Sequence, residues 1–193
     1  MLKVIITGAY STGKTSLANR LQADLLLKGR SVAFVSDTAR TCPLPLNKNQ
    51  TDETSLWLIA TQVSREIVEQ AGNAELLICD RGVPDILAHN EDMRSTSISS
   101  RVTLLKPFLA DWLKTYDVIL LSRVDSAIPI EPDGLRVIDP AYRENLDRLA
   151  VRVLTSIPNV YELPFGDKER LAYAREVVER RFSSLFRRSC SST

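Results

Sequence analysis

The stretch Leu2–Ser16, LKVIITGAYSTGKTS, decides the fold. It opens with a short run rich in β-branched residues, Leu2–Thr7, as expected of a strand that is buried on both faces. Gly8–Thr15, called the P-loop below, then fits the pattern G-x-x-x-x-G-K-[ST]. Glycines let the backbone curl so that its N–H groups point inward, and the following helix adds its positive dipole end. The sequence therefore predicts a strand, a phosphate-binding loop and a helix.

The last residues of the P-loop have separate expected tasks. Lys14 should reach the outer phosphates of a nucleoside triphosphate as a point charge, and is predicted to be catalytic. The Thr15 hydroxyl is expected to ligate Mg²⁺. The residues predicted to bind ATP are Gly8, Ala9, Tyr10, Ser11, Thr12, Gly13, Lys14, Thr15 and Ser16.

Apolar runs and amphipathic segments alternate along the rest of the chain. Strands are predicted at 31–36, 76–79, 117–122 and 160–163, and helices at 14–28, 51–72, 83–89, 102–116, 141–156 and 167–186. This alternation means crossover connections and a parallel sheet covered by helices on both faces. We predict a single α/β domain over residues 1–186, a three-layer sandwich with a five-stranded parallel sheet, followed by a flexible tail at 187–193.

Composition narrows the choice of partners and compartment. The 25 basic and 24 acidic residues leave a net charge of +1, so no clustered positive surface for nucleic acid or membranes is expected. The three cysteines form no CxxC pair, which is typical of reduced thiols. No segment approaches the roughly 18 apolar residues of a membrane span. A cytoplasmic protein is expected, and its oligomeric state stays open.

Polar residues follow the second and third predicted strands. The carboxyl ends of parallel strands meet at one edge of a sheet, so Asp37 and Asp80 should face the same crevice as the P-loop. Asp80 is a predicted Mg²⁺ ligand. Asp37 is expected either to accept a proton from a substrate hydroxyl, to hold a sugar, or only to cap a turn. Arg40 and Arg81 either bind an anionic acceptor or form structural ion pairs. Gln62 either reaches a base or sugar edge or is a solvated surface residue.

A candidate lid covers about residues 123–145. Its segment Ile128–Pro140 carries three prolines and a glycine and is predicted to be an exposed loop. A hinged loop that lowers Arg136 over the transferring phosphate would stabilise charge and exclude water. Arg143 is a weaker candidate for the same task. The alternative is a solvated helix whose arginines pair with neighbouring carboxylates.

The class of P-loop protein depends on residues outside the loop. A GTPase needs N-K-x-D after the fourth strand, where Ser122–Asp125 reads SRVD. Asp80 is followed by Arg81 instead of the acidic pair that many ATPases carry. We therefore predict an ATP-dependent kinase for a small nucleoside- or nucleotide-like acceptor. The alternative is a non-catalytic or slowly hydrolysing ATP sensor.

Pro164–Asp167 either contacts the nucleotide base or forms a simple helix-start turn.

Four motifs in this order resemble the NadR-like AAA family, a group of P-loop proteins related to nucleoside and nucleotide kinases. They are Gly8–Thr15, Asp37–Arg40, Asp80–Gly82 and Asp133–Arg136, and the similarity spans roughly residues 1–183. The resemblance implies the strand order 2-3-1-4-5 and ATP with Mg²⁺ as phosphoryl donor. It also implies a nucleoside-like acceptor near Asp37, Arg40 and Asp80, and a lid that carries Arg136.

Overall fold

The sheet is the centre of the molecule. A computed structural model describes residues 1–94, 101–126, 128–130 and 137–190. Within these residues, five parallel strands form one sheet: β1 (Leu2–Thr7), β2 (Val32–Val35), β3 (Leu76–Asp80), β4 (Val118–Leu121) and β5 (Val160–Glu162). Their order is β2-β3-β1-β4-β5. This confirms both the predicted parallel sheet and the strand order that the resemblance implied.

β1 lies between β3 and β4, and this position explains its continuous apolar sequence. All six of its residues are buried, because helices cover both faces of the sheet. Its register places Ile6 opposite Asp80 on β3 and Leu120 on β4. The P-loop therefore leaves the sheet directly beside the end of β3, so the first motif and Asp80 share one edge.

Six helices flank the sheet in the described part of the chain: α1 (Lys14–Leu27), α2 (Asp52–Gln70), α3 (Val83–Arg94), α4 (Lys106–Leu113), α5 (Pro140–Leu154) and α6 (Asp167–Cys190). Short 3-10 turns lie at Thr38–Thr41, Asn47–Asn49 and Arg101–Leu105. On one face, α1 and α6 pack against alternate strand residues such as Val4 and Ile6. On the other face, α2 to α5 pack against Ile5 and Ile119. These two cores lie between the layers and join the sheet to the helices of the predicted three-layer sandwich.

Three helices differ by more than two residues from their predicted bounds. The predicted helix 102–116 is a 3-10 turn followed by α4, because Pro107 lacks an N–H and fits only the first turn of an α-helix. α3 continues five residues beyond its predicted end at His89, and Asn145 of α5 donates to Asp92 there over 2.5 Å. α6 extends to Cys190, past the predicted end at Phe186. No helix in the described part is long and apolar enough to cross a membrane.

Candidate nucleotide-binding and catalytic site

The P-loop has the backbone that its glycines predict. Gly8 and Gly13 have φ of 131° and 73°, and Ser11 also adopts a positive φ of 54°. A Cβ added at Gly8 would lie 2.1 Å from the carbonyl oxygen of Ser122, so no other residue fits there. The loop is thus held against the end of β4 while its backbone curls toward α1.

Lys14 lies inside this curl. Its Nζ donates to the carbonyl oxygen of Ala9 and, over 3.3 Å, to the Thr12 hydroxyl. The side chain is buried, and this burial, together with the nearby charge of Arg81, lowers the pKa of Lys14 to about 7. A polyphosphate would supply the negative charge that this ammonium lacks among its own hydrogen-bond partners.

Asp80 and Thr15 form the candidate Mg²⁺ ligands. Asp80 ends β3 and is 1% exposed, and burial raises its pKa while a hydrogen bond with Thr15 acts in the opposite direction. Its Oδ1 is buried and has no hydrogen-bond partner. No group of three or more His, Cys, Asp or Glu side chains in the described residues could hold a metal ion. Nucleotide-bound Mg²⁺ needs only one or two carboxylates, and this pair fits it.

Asp85 is a site residue that the sequence analysis missed. It lies in the first turn of α3 and is buried. Its carboxylate accepts hydrogen bonds from the Thr7 hydroxyl (2.8 Å), the backbone N–H of Gly82 (3.1 Å) and the backbone N–H of Gly8 (3.2 Å). Asp85 therefore fixes the start of the P-loop to the turn after β3. An acidic residue in the first turn of a helix directly after a strand was the available signal.

Asp37 and Arg81 form an ion pair, with Arg81 Nε 3.0 Å from Asp37 Oδ2. Burial lowers the pKa of Arg81, but the carboxylates of Asp37 and Asp85 outweigh it and the net pKa is raised. Asp37 also caps the 3-10 turn by accepting from the backbone N–H of Ala39 over 3.1 Å. Arg40 lies farther out, with its Nε 4.0 Å from the same carboxylate and its side chain half exposed. Asp37 thus caps the turn through Oδ1 and pairs with arginines through Oδ2, while its role toward a substrate stays a prediction.

One pocket, called the Asp37 pocket below, lies between this ion pair and the P-loop. It has a volume of about 810 Å³ including its open mouth. Its lining brings together five predicted site residues: Tyr10, Thr15, Asp37, Arg40 and Arg81. Further lining side chains include Gln62, Asp85, His89, Leu58 and Ile86. Gln62 is buried, so the solvated-surface interpretation of this residue is wrong. Asp80 does not line the pocket and is linked to it through Thr15.

The described ends of the lid are tied down around the pocket. Arg136 lies outside the described residues, so its role stays a prediction. Asp139 caps α5, pairs with Lys48 over 2.6 Å, and accepts from the Tyr10 hydroxyl through its carbonyl oxygen over 3.0 Å. Arg143 is buried and donates to the carbonyl oxygen of Ile128 over 3.0 Å. Through this contact Arg143 braces the loop backbone, and a role at the transferring phosphate stays a prediction.

A second pocket, the Arg170 pocket, lies on the other side of the P-loop. It has a volume of about 670 Å³ including its open mouth, and its lining includes Ser11, Thr12, Arg123, Phe165, Asp167 and Arg170. Arg170 Nη2 donates to the Ser122 hydroxyl over 2.6 Å, which in turn donates to the carbonyl oxygen of Thr12 over 2.9 Å. The turn at Pro164–Asp167 thus lies beside the P-loop. Contact with the nucleotide base was one of the two interpretations of this turn. Arg170 and Ser122 were missed because only tertiary packing brings them there.

His89 is the single histidine of the sequence. Its Nδ1 lies 3.2 Å from the hydroxyl of Tyr142. Burial, followed by the positive charges of Arg81 and Lys14, lowers its pKa to about 3, so the ring is neutral at physiological pH. His89 therefore contributes a neutral, partly apolar wall to the Asp37 pocket.

Comparison with known proteins places this geometry in a family. A family model described as an AAA domain matches residues 3–170. No curated protein matches the chain. The solved structures that resemble it include the NadR protein in complex with NR, with a TM-score of 0.72, 18% identity, and coverage of 94% of this chain and 52% of that chain. The chain thus spans about half the length of NadR.

Deoxyadenosine kinase from M. mycoides with bound dCTP aligns with a TM-score of 0.69 and 11% identity, covering 93% of this chain and 100% of that chain. The same kinase with its products dCMP and a flexible dCDP aligns with a TM-score of 0.60 and 11% identity over 100% of both chains. At these identities the structures show a common P-loop kinase fold. The family match covers most of the sequence and confirms what the motifs indicated: the chain belongs to this AAA-domain family, a NadR-like group of P-loop proteins.

Proposed function

We propose that the protein is an ATP-dependent kinase that transfers the γ-phosphoryl group to a hydroxyl or phosphate of a small nucleoside- or nucleotide-like acceptor. One observation carries the proposal: the P-loop and the Asp37–Arg81 ion pair lie at one pocket, with Thr15 on its wall. The kinase fold shared with NadR and deoxyadenosine kinase supports the same conclusion.

The donor half of the site is the P-loop. Its backbone N–H groups hold the phosphates of ATP, and the Lys14 ammonium contacts the outer phosphates. Thr15 and Asp80 would hold Mg²⁺, which when bound neutralises charge on the phosphate oxygens. The Arg170 pocket, with Phe165 at its edge, takes the nucleoside half of the donor.

The acceptor half is the Asp37 pocket. Asp37 accepts the proton of the acceptor hydroxyl as that oxygen bonds to the γ-phosphorus and the bond to the bridging oxygen of ADP breaks. Arg81 fixes the carboxylate by its 3.0 Å contact, and Arg40 at the rim meets any anionic group on the acceptor. Arg136 on the lid neutralises charge in the transition state. The proposal includes a cytoplasmic location and small molecules, not nucleic acid or membrane, as partners.

The test is ADP formation from ATP and Mg²⁺ with a panel of nucleosides and nucleotides, for the wild type and Asp37→Asn. An asparagine still caps the 3-10 turn but cannot accept a proton, so acceptor-dependent turnover should fall by about 10²- to 10⁴-fold at unchanged ATP affinity. Arg148→Ala, at an exposed residue of α5, is the control and should behave as wild type. Tight ATP binding with no acceptor-dependent ADP from any panel member would favour the sensor instead.

A further inference from the structure

Glu66 on α2 is the centre of a buried polar network behind the Asp37 pocket. The residue is fully buried, and its carboxylate receives four hydrogen bonds or ion pairs. Oε2 contacts Lys3 Nζ at 2.7 Å and Trp112 Nε1 at 2.9 Å, and Oε1 contacts Gln62 Nε2 at 2.7 Å and the Tyr116 hydroxyl at 2.8 Å. All four acceptor positions of the carboxylate are thus used, and a fully satisfied network of this kind is rigid.

The network fixes which way the side-chain amide of Gln62 points. One N–H of Nε2 goes to the Glu66 carboxylate, and the other goes to the carbonyl oxygen of Arg81 over 3.3 Å. Both partners are acceptors only, so a reversed amide would place oxygen against oxygen at two contacts. The NH₂ group is therefore fully occupied inside the protein, and Oε1 is the atom of the Gln62 amide left to accept from a ligand in the pocket that this residue lines.

Thr38, like Gln62, presents only hydrogen-bond acceptors to a ligand. Its hydroxyl proton is donated to Gln62 Oε1 over 2.5 Å, so Thr38 has only lone pairs left for a ligand. Both residues line the Asp37 pocket and both are buried. This part of the wall accepts hydrogen bonds and cannot donate any, whereas the guanidinium groups of Arg40 and Arg81 supply donors elsewhere on the lining.

We infer that Glu66, acting through Gln62, makes the acceptor site select nucleosides whose base presents an N–H donor, such as an exocyclic amine, over those with a carbonyl oxygen at that position. The inference rests on the proposed function, since it names the class of acceptor for the same pocket. A carbonyl against this wall would leave buried acceptors facing each other without a proton. We expect a preference of about tenfold or more in kcat/KM for the amino compound.

Two isosteric pairs test the inference: cytidine against uridine, and adenosine against inosine. Each is assayed for ATP-dependent phosphorylation and, without ATP, for binding by calorimetry. Preference for the amino member supports the inference, and equal or better use of the oxo member overturns it while leaving the kinase proposal intact. Selective binding of the amino members without turnover would support the inference and contradict the proposed kinase activity. Neither binding nor turnover would overturn both.

The role of Glu66 is tested by the double variant Lys3→Met with Glu66→Gln, which keeps the network neutral. A glutamine at 66 can donate as well as accept, so a reversed Gln62 amide would oppose only one acceptor, the carbonyl oxygen of Arg81 at 3.3 Å, and the amino preference should shrink to within about threefold. Lys114→Met with Asp111→Asn removes an exposed ion pair of 2.8 Å and should leave the preference unchanged. Gln62→Met, which removes the amide itself, should abolish the preference. An unchanged preference in the folded Glu66 double variant, or in Gln62→Met if that double does not fold, would refute the assignment.

Discussion

At the scale of single residues, the chemistry depends on a buried lysine that has no carboxylate in direct contact among the residues that the structure describes. Lys14 Nζ bonds to a loop carbonyl and a hydroxyl, so its charge is compensated only partly. Lys14→Met should therefore weaken ATP–Mg²⁺ binding by about 10- to 100-fold, the value of a charge-assisted hydrogen bond. Because a buried charge is removed, the melting temperature should stay the same or rise. Calorimetry and thermal melts check both, and undiminished affinity in a folded variant would contradict the P-loop assignment.

The pKa of Lys14 leads to a second prediction, on pH. Burial and the charge of Arg81 lower this pKa to about 7, so near neutral pH a substantial fraction of the unliganded protein has Lys14 uncharged. Bound phosphates favour the charged form and raise the pKa, so binding ATP–Mg²⁺ takes up a proton above pH 7 and affinity falls as pH rises. Titrations in two buffers of different ionisation enthalpy measure this uptake. Lys14→Met is the control in which it should vanish, and proton release by the wild type would contradict the argument.

The residues that sequence analysis found are those that follow strands. Asp37, Asp80 and Arg81 come directly after apolar runs, and the geometry of a parallel sheet alone brings such positions to one edge. Asp85 and Arg170 were missed because their place depends on how a helix turns and packs. No periodicity in the sequence encodes which side chains of α3 or α6 face the P-loop.

At the scale of elements, the turn from β1 into the P-loop leaves no room for a side chain at Gly8. Gly8→Ala combines a φ of 131° with a 2.1 Å overlap on Ser122, so unfolding free energy should fall by about 3 kcal/mol or more and nucleotide binding should be lost. Gly29→Ala is the matched control, since its φ is also positive at 78° but no atom lies within 4 Å of an added Cβ. It should cost about 1–2 kcal/mol and leave ATP affinity unchanged. Urea unfolding and calorimetry distinguish the two, and equal effects would contradict the steric argument.

Most elements were predictable from their patterns, and their arrangement was less so. Alternating strands and helices predict a parallel sheet, but only the resemblance implied the order β2-β3-β1-β4-β5. Helix ends differed where a backbone rule or a distant contact acts. Pro107 sets the start of α4, and the polar residues after His89 stay helical in α3 where Asp92 contacts Asn145. A local sequence pattern reveals the start of α4 only if Pro107 is taken to be incompatible with a helix interior. The pattern contains no information about the distant contact between Asp92 and Asn145.

At the scale of the whole molecule, the pocket walls are joined to the helical layer by one buried network. Lys3 on β1 pairs with Glu66 on α2, and the Lys3 ammonium lies 4.3 Å from the ring centroid of Trp112. Through Gln62 the same network contacts the turn after β3. Lys3 and Glu66 are two buried charges beside the candidate pocket. The same contacts therefore contribute both to the stability of the fold and to the geometry of the pocket wall.

This arrangement predicts strong coupling between the two charges. Lys3→Met or Glu66→Gln alone leaves one buried ion uncompensated and should lower the free energy of unfolding by about 3–5 kcal/mol, whereas the double variant should stay within about 2 kcal/mol of wild type. Urea unfolding of the four proteins gives the coupling energy. The same cycle on Lys114 and Asp111, an exposed pair, should give less than about 1 kcal/mol. Additive losses at Lys3 and Glu66 would mean that the two charges do not depend on each other, and that the network holds the Gln62 amide less firmly than its contacts indicate.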